Sequence, residues 1–503
     1  MKGILVFIIG LISSIGSSVI DAAPASGAGK PNILYIFTDD QSTRSVSCYR
    51  EARPWVKTPH IDKLADSGMR FTTCYTGAWC QPSRVSALTG LLQHAAKTVK
   101  VTDYPMAEYD SEQLPFFPSV LRKNGYQTAC IGKWHLGEDV GHGRDWDYSV
   151  IWDRGGGRRD AGAYYHNTLV RTNGGERKPL GGYSTDGFTE LAVDYIKNKK
   201  GSDKPWYLWL CYGGVHSPFT PAARHEATYA DAPPARVPVD IFGPRPGKPE
   251  HLKNMTRWKK DPDGRPKGYD SVVKQYHRAV KSLDDGVGAL VTALRESGQL
   301  ENTVIIFTSD QGYAWGQHGS KEKWLAYDAN ICAPLIFSSP GRIKPGTVCK
   351  EAVNGVDIVS TIHALTGVEP EWRMHGRDLT ALLDNPDDIL GAPMLMMNTG
   401  TQYGEGVTQK LKAQNYDAFK FAHFYPWLMM RDGKYKYIRH LQANAIEELY
   451  DMEQDPDELT NLAVNPDYHK KLTEMRRKAV REFQEKDGGF TAHLPEPRIS
   501  QPQ

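Results

Sequence analysis

The chain has 503 residues, enough for one large domain and a smaller one, and 40% apolar with 24% charged residues is an ordinary globular composition. Lys and Arg total 61 against 59 Asp and Glu. The formal charge of +2 supplies no domain-wide basic field and argues against nucleic acid as a partner.

The chain opens with Lys2, the apolar run Gly3 to Ile12 and small residues as far as Ala23. This pattern predicts a secretory signal peptide over residues 1–23, cleaved near Ala22 to Ala25. Its apolar run is too short to span a bilayer comfortably, and no other segment reads as transmembrane. An exported protein, periplasmic or secreted and without stable membrane insertion, is the expectation. Residues 24–30 read as an Ala/Gly/Pro linker.

Asn32 to Phe37 is a continuous apolar strand, followed by a helix around Ile61 to Met69. Further strands are predicted at Thr128–Ile131, Trp206–Cys211, Val304–Thr308 and Leu335–Ser338. Ala223 to Lys267 is rich in Pro, Gly and charge and reads as a surface excursion. A long helix is predicted from Ser271 to Ser297, because Tyr276, Val280, Leu283, Val287 and Leu290 recur at three- and four-residue spacing. Apolar strands alternating with helices indicate an α/β domain over 31–385. Its large mixed, mostly parallel sheet is expected to be sandwiched by helices. After residue 385 the pattern changes to short strands at Pro393–Met397, Trp427–Arg431 and Lys434–Ile438, with an Asp432-Gly433 turn and a last helix from Tyr468 to Glu485. Residues 386–503 thus read as a smaller α+β subdomain.

Seven cysteines in a chain of this size do not make a disulfide scaffold. Cys130 and Cys211 sit in strand-like runs as small core residues, whereas Cys48, Cys74, Cys332 and Cys349 are available to pair.

Asp39 and Asp40 stand together at the carboxyl end of the first strand, and burying two like charges calls for a cation. A second buried strand, Val304 to Thr308, runs into Ser309, Asp310 and Gln311. Three carboxylates and one amide carbonyl make an all-oxygen set that suits Ca²⁺, or Mg²⁺, better than zinc. Cys80 precedes Pro82 at a predicted helix start, where backbone N–H groups favour anions, and Arg84 returns toward it from four residues on. A structural and a reactive cysteine both fit this context.

The run Cys80-x-Pro82-Ser83-Arg84 with Leu88-Thr89-Gly90 resembles the modification signature of the type I, formylglycine-dependent sulfatases, members of the alkaline phosphatase superfamily. The rest of that pattern stands in order: Asp39-Asp40, Thr58-Pro59-His60-Ile61-Asp62, Gly132-Lys133-Trp134-His135, His216-Ser217-Pro218, Ser309-Asp310, Lys323 and Glu448-Leu449-Tyr450-Asp451. The likeness spans about residues 31 to 465.

The resemblance implies an alkaline-phosphatase-like fold and hydrolysis of sulfate esters, most readily on a sulfated poly- or oligosaccharide. Cys80 is then oxidised to formylglycine by a formylglycine-generating or equivalent maturation enzyme, and its hydrate attacks sulfur to give a sulfated enzyme. Arg84 holds the hydrate and His135 is the base for its collapse. Lys133 and Lys323 clamp sulfate oxygens, and His216 serves the departing alkoxide. Lys321 is the fallback should the register at Lys323 slip. Asp39, Asp40, Asp310 and Gln311 hold Ca²⁺, although relatives usually carry Asn or His at position 311. His318 is assigned a supporting role. A Gly-rich loop with Trp152, Asp153, Arg154, Arg158, Arg159, Tyr164 and Tyr165 suits an anionic sugar or a solvated surface equally. Competing readings are an arylsulfatase, a phosphonate or phosphate ester hydrolase, and an inactive exported glycan-binding protein. The intact catalytic positions argue against the last.

Overall fold

A computed structural model describes residues 29–97, 99–101, 107–419 and 424–499. The predicted signal peptide and most of the linker lie outside the described residues. No helix among the described residues is long and apolar enough to cross a membrane.

The strand Asn32–Thr38 forms the axis of the large sheet, paired in parallel with Thr303–Ser309 on one side and Trp206–Cys211 on the other. Gln127–Lys133 and Tyr148–Trp152 extend the parallel run beyond Trp206–Cys211. Both flanks turn antiparallel, through Cys332–Ser338 and Met69–Tyr75 on one side and Leu169–Thr172 and Arg177–Pro179 on the other. The sheet is thus mixed with a parallel centre, as expected of an α/β domain.

Strand alternation sends Leu34 and Ile36 into one core and Ile33, Tyr35 and Phe37 into the other. The first core is closed by the helices Ser184–Asn198 and Tyr269–Glu296, with Val280, Leu283, Val287 and Leu290 on the buried stripe that the sequence predicts. The second is closed by Phe117–Lys123, Cys80–Thr89 and Gly355–Thr366. Burial on both faces explains why the strands are continuously apolar. Leu283 is fully buried, so Leu283→Ala is expected to cost about 2–5 kcal/mol, read as a lower urea midpoint at unchanged slope.

Met394–Asn398, Trp427–Asp432, Tyr435–His440 and Glu448–Asp451 form a separate antiparallel sheet, covered by the helix His469–Gln484. The hairpin turn lies one residue later than predicted. Asp432 pairs with Tyr435, and Gly433 supplies the positive φ of 54° that the turn requires.

Two expectations are corrected. The segment Ala223 to Lys267 is not all surface: Ile241, Arg245, Lys248, Leu252 and Trp258 are buried. Arg245 donates to the carbonyls of Asp240 at 2.6 Å and Leu252 at 3.1 Å, while Lys248 Nζ reaches Tyr450 Oη at 2.5 Å and the Glu458 carbonyl at 2.6 Å. These two charges read as solvent-facing but are satisfied inside, and Lys248 joins the segment to the C-terminal sheet. Cys48, Cys74, Cys332 and Cys349 do not pair; all seven cysteines are free, and all but Cys48 are buried.

Candidate active site

The site assembles at the carboxyl ends of the central parallel strands, where ligands of open α/β sheets bind. Register does this directly: Thr38 lies opposite Ser309, so Asp39-Asp40 and Asp310-Gln311 leave the sheet side by side. The Asp310 N–H donates to the Thr38 carbonyl at 2.9 Å, and the Asp40 N–H donates to Asp310 Oδ1 at 3.0 Å. Oxygens of Asp39, Asp40 and Asp310 and the sulfur of Cys80 all lie within 4.8 Å of one another.

Cys80 begins the ten-residue helix Cys80–Thr89, which Gly90 ends in the left-handed conformation at φ 68°. Its Sγ lies 3.2 Å from Asp39 Oδ1 and 3.0 Å from Lys323 Nζ. Arg84, one turn on, is completely buried and donates to Asp310 Oδ2 at 3.3 Å and to the Lys133 carbonyl at 2.7 Å. Lys133 ends the strand Gln127–Lys133 and pairs with Asp39, while Lys323 Nζ reaches Asp40 Oδ1 at 2.8 Å. Three buried carboxylates thus face three buried cations.

The balance is uneven. Burial pushes the Asp40 carboxyl up to about 6 against the pull of Lys323. Burial and the Asp39 charge push Asp310 up to about 7 despite Arg84. Asp39 alone is held well below the usual carboxylate range, because Lys133 and further cations outweigh its burial. Two carboxyls driven toward neutrality beside a third that stays charged mark a place for one more positive charge. The oxygen-rich donor set fits a hard divalent cation. Gln311 fits less directly. Its amide nitrogen donates to Asp40 Oδ1, and its carbonyl oxygen accepts from Ser83 Oγ at 3.4 Å, so ligation requires the amide to turn over.

The histidines occupy two walls. His135 is buried just past Lys133, with a positive φ of 63°, and its Nε2 accepts from Arg154 Nη1 at 2.6 Å. His216, partly exposed, stacks flat on Tyr164 at 3.9 Å and brings Nε2 to 3.8 Å from Asp40 Oδ2. Burial, then neighbouring cations, holds both rings well below the ordinary histidine range.

Lys323 is the lysine brought to Cys80; Lys321 packs over Trp258 at 5.4 Å. His318 is buried against Tyr327 and Asp240. The Gly-rich loop divides. Asp153 is buried beneath Arg177 at 2.8 Å, Trp152 and Tyr164 pack edge to face, and Tyr165 Oη donates to the His216 carbonyl at 2.5 Å, while Arg158 and Arg159 are exposed. The contact of Arg154 with His135 was not foreseen, since nothing in the spacing of residues 135 and 154 announces it.

The sulfatase family profile matches residues 31–368, and that of the N-sulphoglucosamine sulphohydrolase C-terminal region matches 316–486. An N-acetylglucosamine-6-O-sulfatase of Bacteroides thetaiotaomicron is 28% identical over 89% of this chain and 85% of its own. A solved protein in complex with its substrate D-glucosamine-2-N,6-O-disulfate superposes with a TM-score of 0.74 at 23% identity, covering 92% of this chain and 99% of that one. The phosphonate monoester hydrolase of Agrobacterium radiobacter shares the fold at a TM-score of 0.64 and 19% identity, covering 91% and 96%. With its profile matched over more than half the chain, the protein belongs to the sulfatase family of sulfuric ester hydrolases.

Proposed function

We propose that this enzyme is exported and releases sulfate from sulfated amino-sugar glycans through a nucleophile made at position 80. The observation that carries the chemistry is Cys80 set at a helix start, against Lys323 and three clustered carboxylates. The relative that acts on N-acetylglucosamine 6-sulfate groups and the fold neighbour holding a glucosamine disulfate support the substrate class. The signal-peptide pattern of residues 1–23 supports export. The separate C-terminal sheet supports a division into a catalytic domain, 31–385, and a subdomain, 386–503.

Asp39, Asp40 and Asp310, with Gln311 after rotation of its amide, would hold Ca²⁺. The bound cation would supply charge stabilisation at a substrate oxygen. Formylglycine at position 80, installed by a maturation enzyme, would supply the hydrate oxygen that attacks sulfur. Arg84, held by Asp310, would steady the hydrate at position 80. Lys133 and Lys323 are point charges within reach of an anion at position 80. His135 would take the proton when the sulfated enzyme collapses, and the Lys323 ammonium, with His216 at the open edge of the site, would stabilise the departing sugar oxygen.

Purified enzyme is expected to release sulfate from N-acetylglucosamine 6-sulfate faster than it cleaves a 4-nitrophenyl phosphonate. Ion chromatography and absorbance read the two reactions. A marked phosphonate preference would falsify the sulfatase specificity, and turnover of aryl sulfate alone would overturn the glycan assignment.

A further inference from the structure

Two residues that touch one another at the site share an uncommon backbone state. His135 has φ 63° and Arg154 has φ 66°, both left-handed and costly without glycine, as is typical where a fold holds a functional group in place. The side chains they aim meet at 2.6 Å, Arg154 Nη1 to His135 Nε2. The guanidinium is anchored from behind, with Nε and Nη2 donating to the Ala161 carbonyl at 3.0 and 2.8 Å. It also lies over the rings of Trp152 and Tyr164, at 5.8 and 5.4 Å. Arg154 is 8% exposed.

A guanidinium has only donors and keeps its charge at any pH the fold survives. The nitrogen it touches must therefore carry a lone pair. We infer that Arg154 is a positioning residue for sulfate ester hydrolysis: it fixes His135 as the neutral tautomer with the proton on Nδ1, and holds the Nε2 lone pair until the hydrate hydroxyl displaces the guanidinium and gives up its proton there.

This assignment rests on His135 being the base of the proposed reaction. Burial and the surrounding cations act in the same direction. Arg154 presses from the Gly-rich loop, Lys133 from the adjoining strand, Arg84 from the helix Cys80–Thr89 and Lys323 from the loop opposite, and all disfavour the imidazolium. Arg154 differs from the other three in touching the ring nitrogen itself, which gives it control of the tautomer as well as of the charge. Gln81 Nε2 donates to the His135 carbonyl at 3.3 Å and holds the backbone on the other side.

Arg154→Met keeps an apolar stem over Trp152 and Tyr164 but removes both donor and charge. Its kcat on N-acetylglucosamine 6-sulfate is expected to fall by up to about 10²-fold with little change in KM. The acid limb of its kcat profile should move up by about one pH unit, because loss of the cation lets His135 protonate earlier. Arg154→Lys, which retains the charge, should leave that limb in place. An unchanged kcat and limb in folded Arg154→Met, or a raised KM alone, overturns the inference. Should Arg154→Met fail to fold, ¹⁵N–¹H spectra of histidine-labelled wild-type enzyme decide, with His135 assigned by His135→Gln. An Nδ1–H tautomer supports the assignment and an Nε2–H tautomer refutes it. Full activity of His135→Gln would instead remove the base assignment, leaving the tautomer readout intact.

Discussion

Cys80→Ala is expected to lower kcat/KM for sulfate esters by about 10⁴-fold or more, with a thermal midpoint close to that of the wild type. Little packing is lost with one buried sulfur, so the two readouts separate chemistry from folding. The unmodified thiol is also a poor candidate nucleophile here. Burial and the charges of Asp310 and Asp39 push it up to about 12, with Lys133 and Lys323 only partly opposing, so little thiolate exists near neutral pH. An aldehyde hydrate at that position must lose a proton as well, but its oxygen is a hard donor that suits a bound hard cation better than sulfur does. Mass spectrometry of the peptide carrying residue 80 checks the modification directly. A fully active preparation with only thiol at that position would sink the mechanism. Cys80→Ser separates cysteine-specific maturation from maturation that accepts serine.

Chelation of divalent cations should cost activity about 10²-fold or more, restored by Ca²⁺, because several kcal/mol of charge stabilisation leave with the ion. Stability should follow with a definite pH dependence. The carboxyls of Asp40 and Asp310 are raised in the cation-free fold, to about 6 and about 7. Groups raised in this way favour that fold fully below the ordinary carboxylate range, and the benefit is lost as pH climbs through 6 and 7. A bound cation reverses this by favouring the charged carboxylates. Calcium should therefore raise the thermal midpoint more at an alkaline than at a mildly acidic pH. At about a hundredfold excess over Kd the gain is about 2.7 kcal/mol. Scanning calorimetry with and without Ca²⁺ at both pH values checks this; an equal shift at the two would refute the assigned carboxylate ligands.

The sequence by itself determined the parts whose physics is local. Continuous apolar runs located the central strands to within a residue or two, and the three-to-four spacing of Tyr276, Val280, Leu283 and Val287 located the long helix. Pro82 and Gly90 bracketed the helix that begins at Cys80, and the acids that follow two strands, Asp39-Asp40 and Asp310, announced the buried carboxylate cluster. Those signals survive in the primary structure because each depends on neighbours a few positions away.

Only the tertiary structure decided what meets across long separations. Asp40 and Asp310 touch because two strands 270 residues apart pair in parallel register. Lys323 rather than Lys321 reaches Cys80 because the fold turns Lys321 onto Trp258. Lys248 is buried because Tyr450 and Glu458 arrive to satisfy it, a condition invisible in its own segment. Arg154 meets His135 for the same reason: a left-handed turn at each residue aims two side chains at one point. Sheet order and register set such meetings, and neither is written in the composition of any single segment.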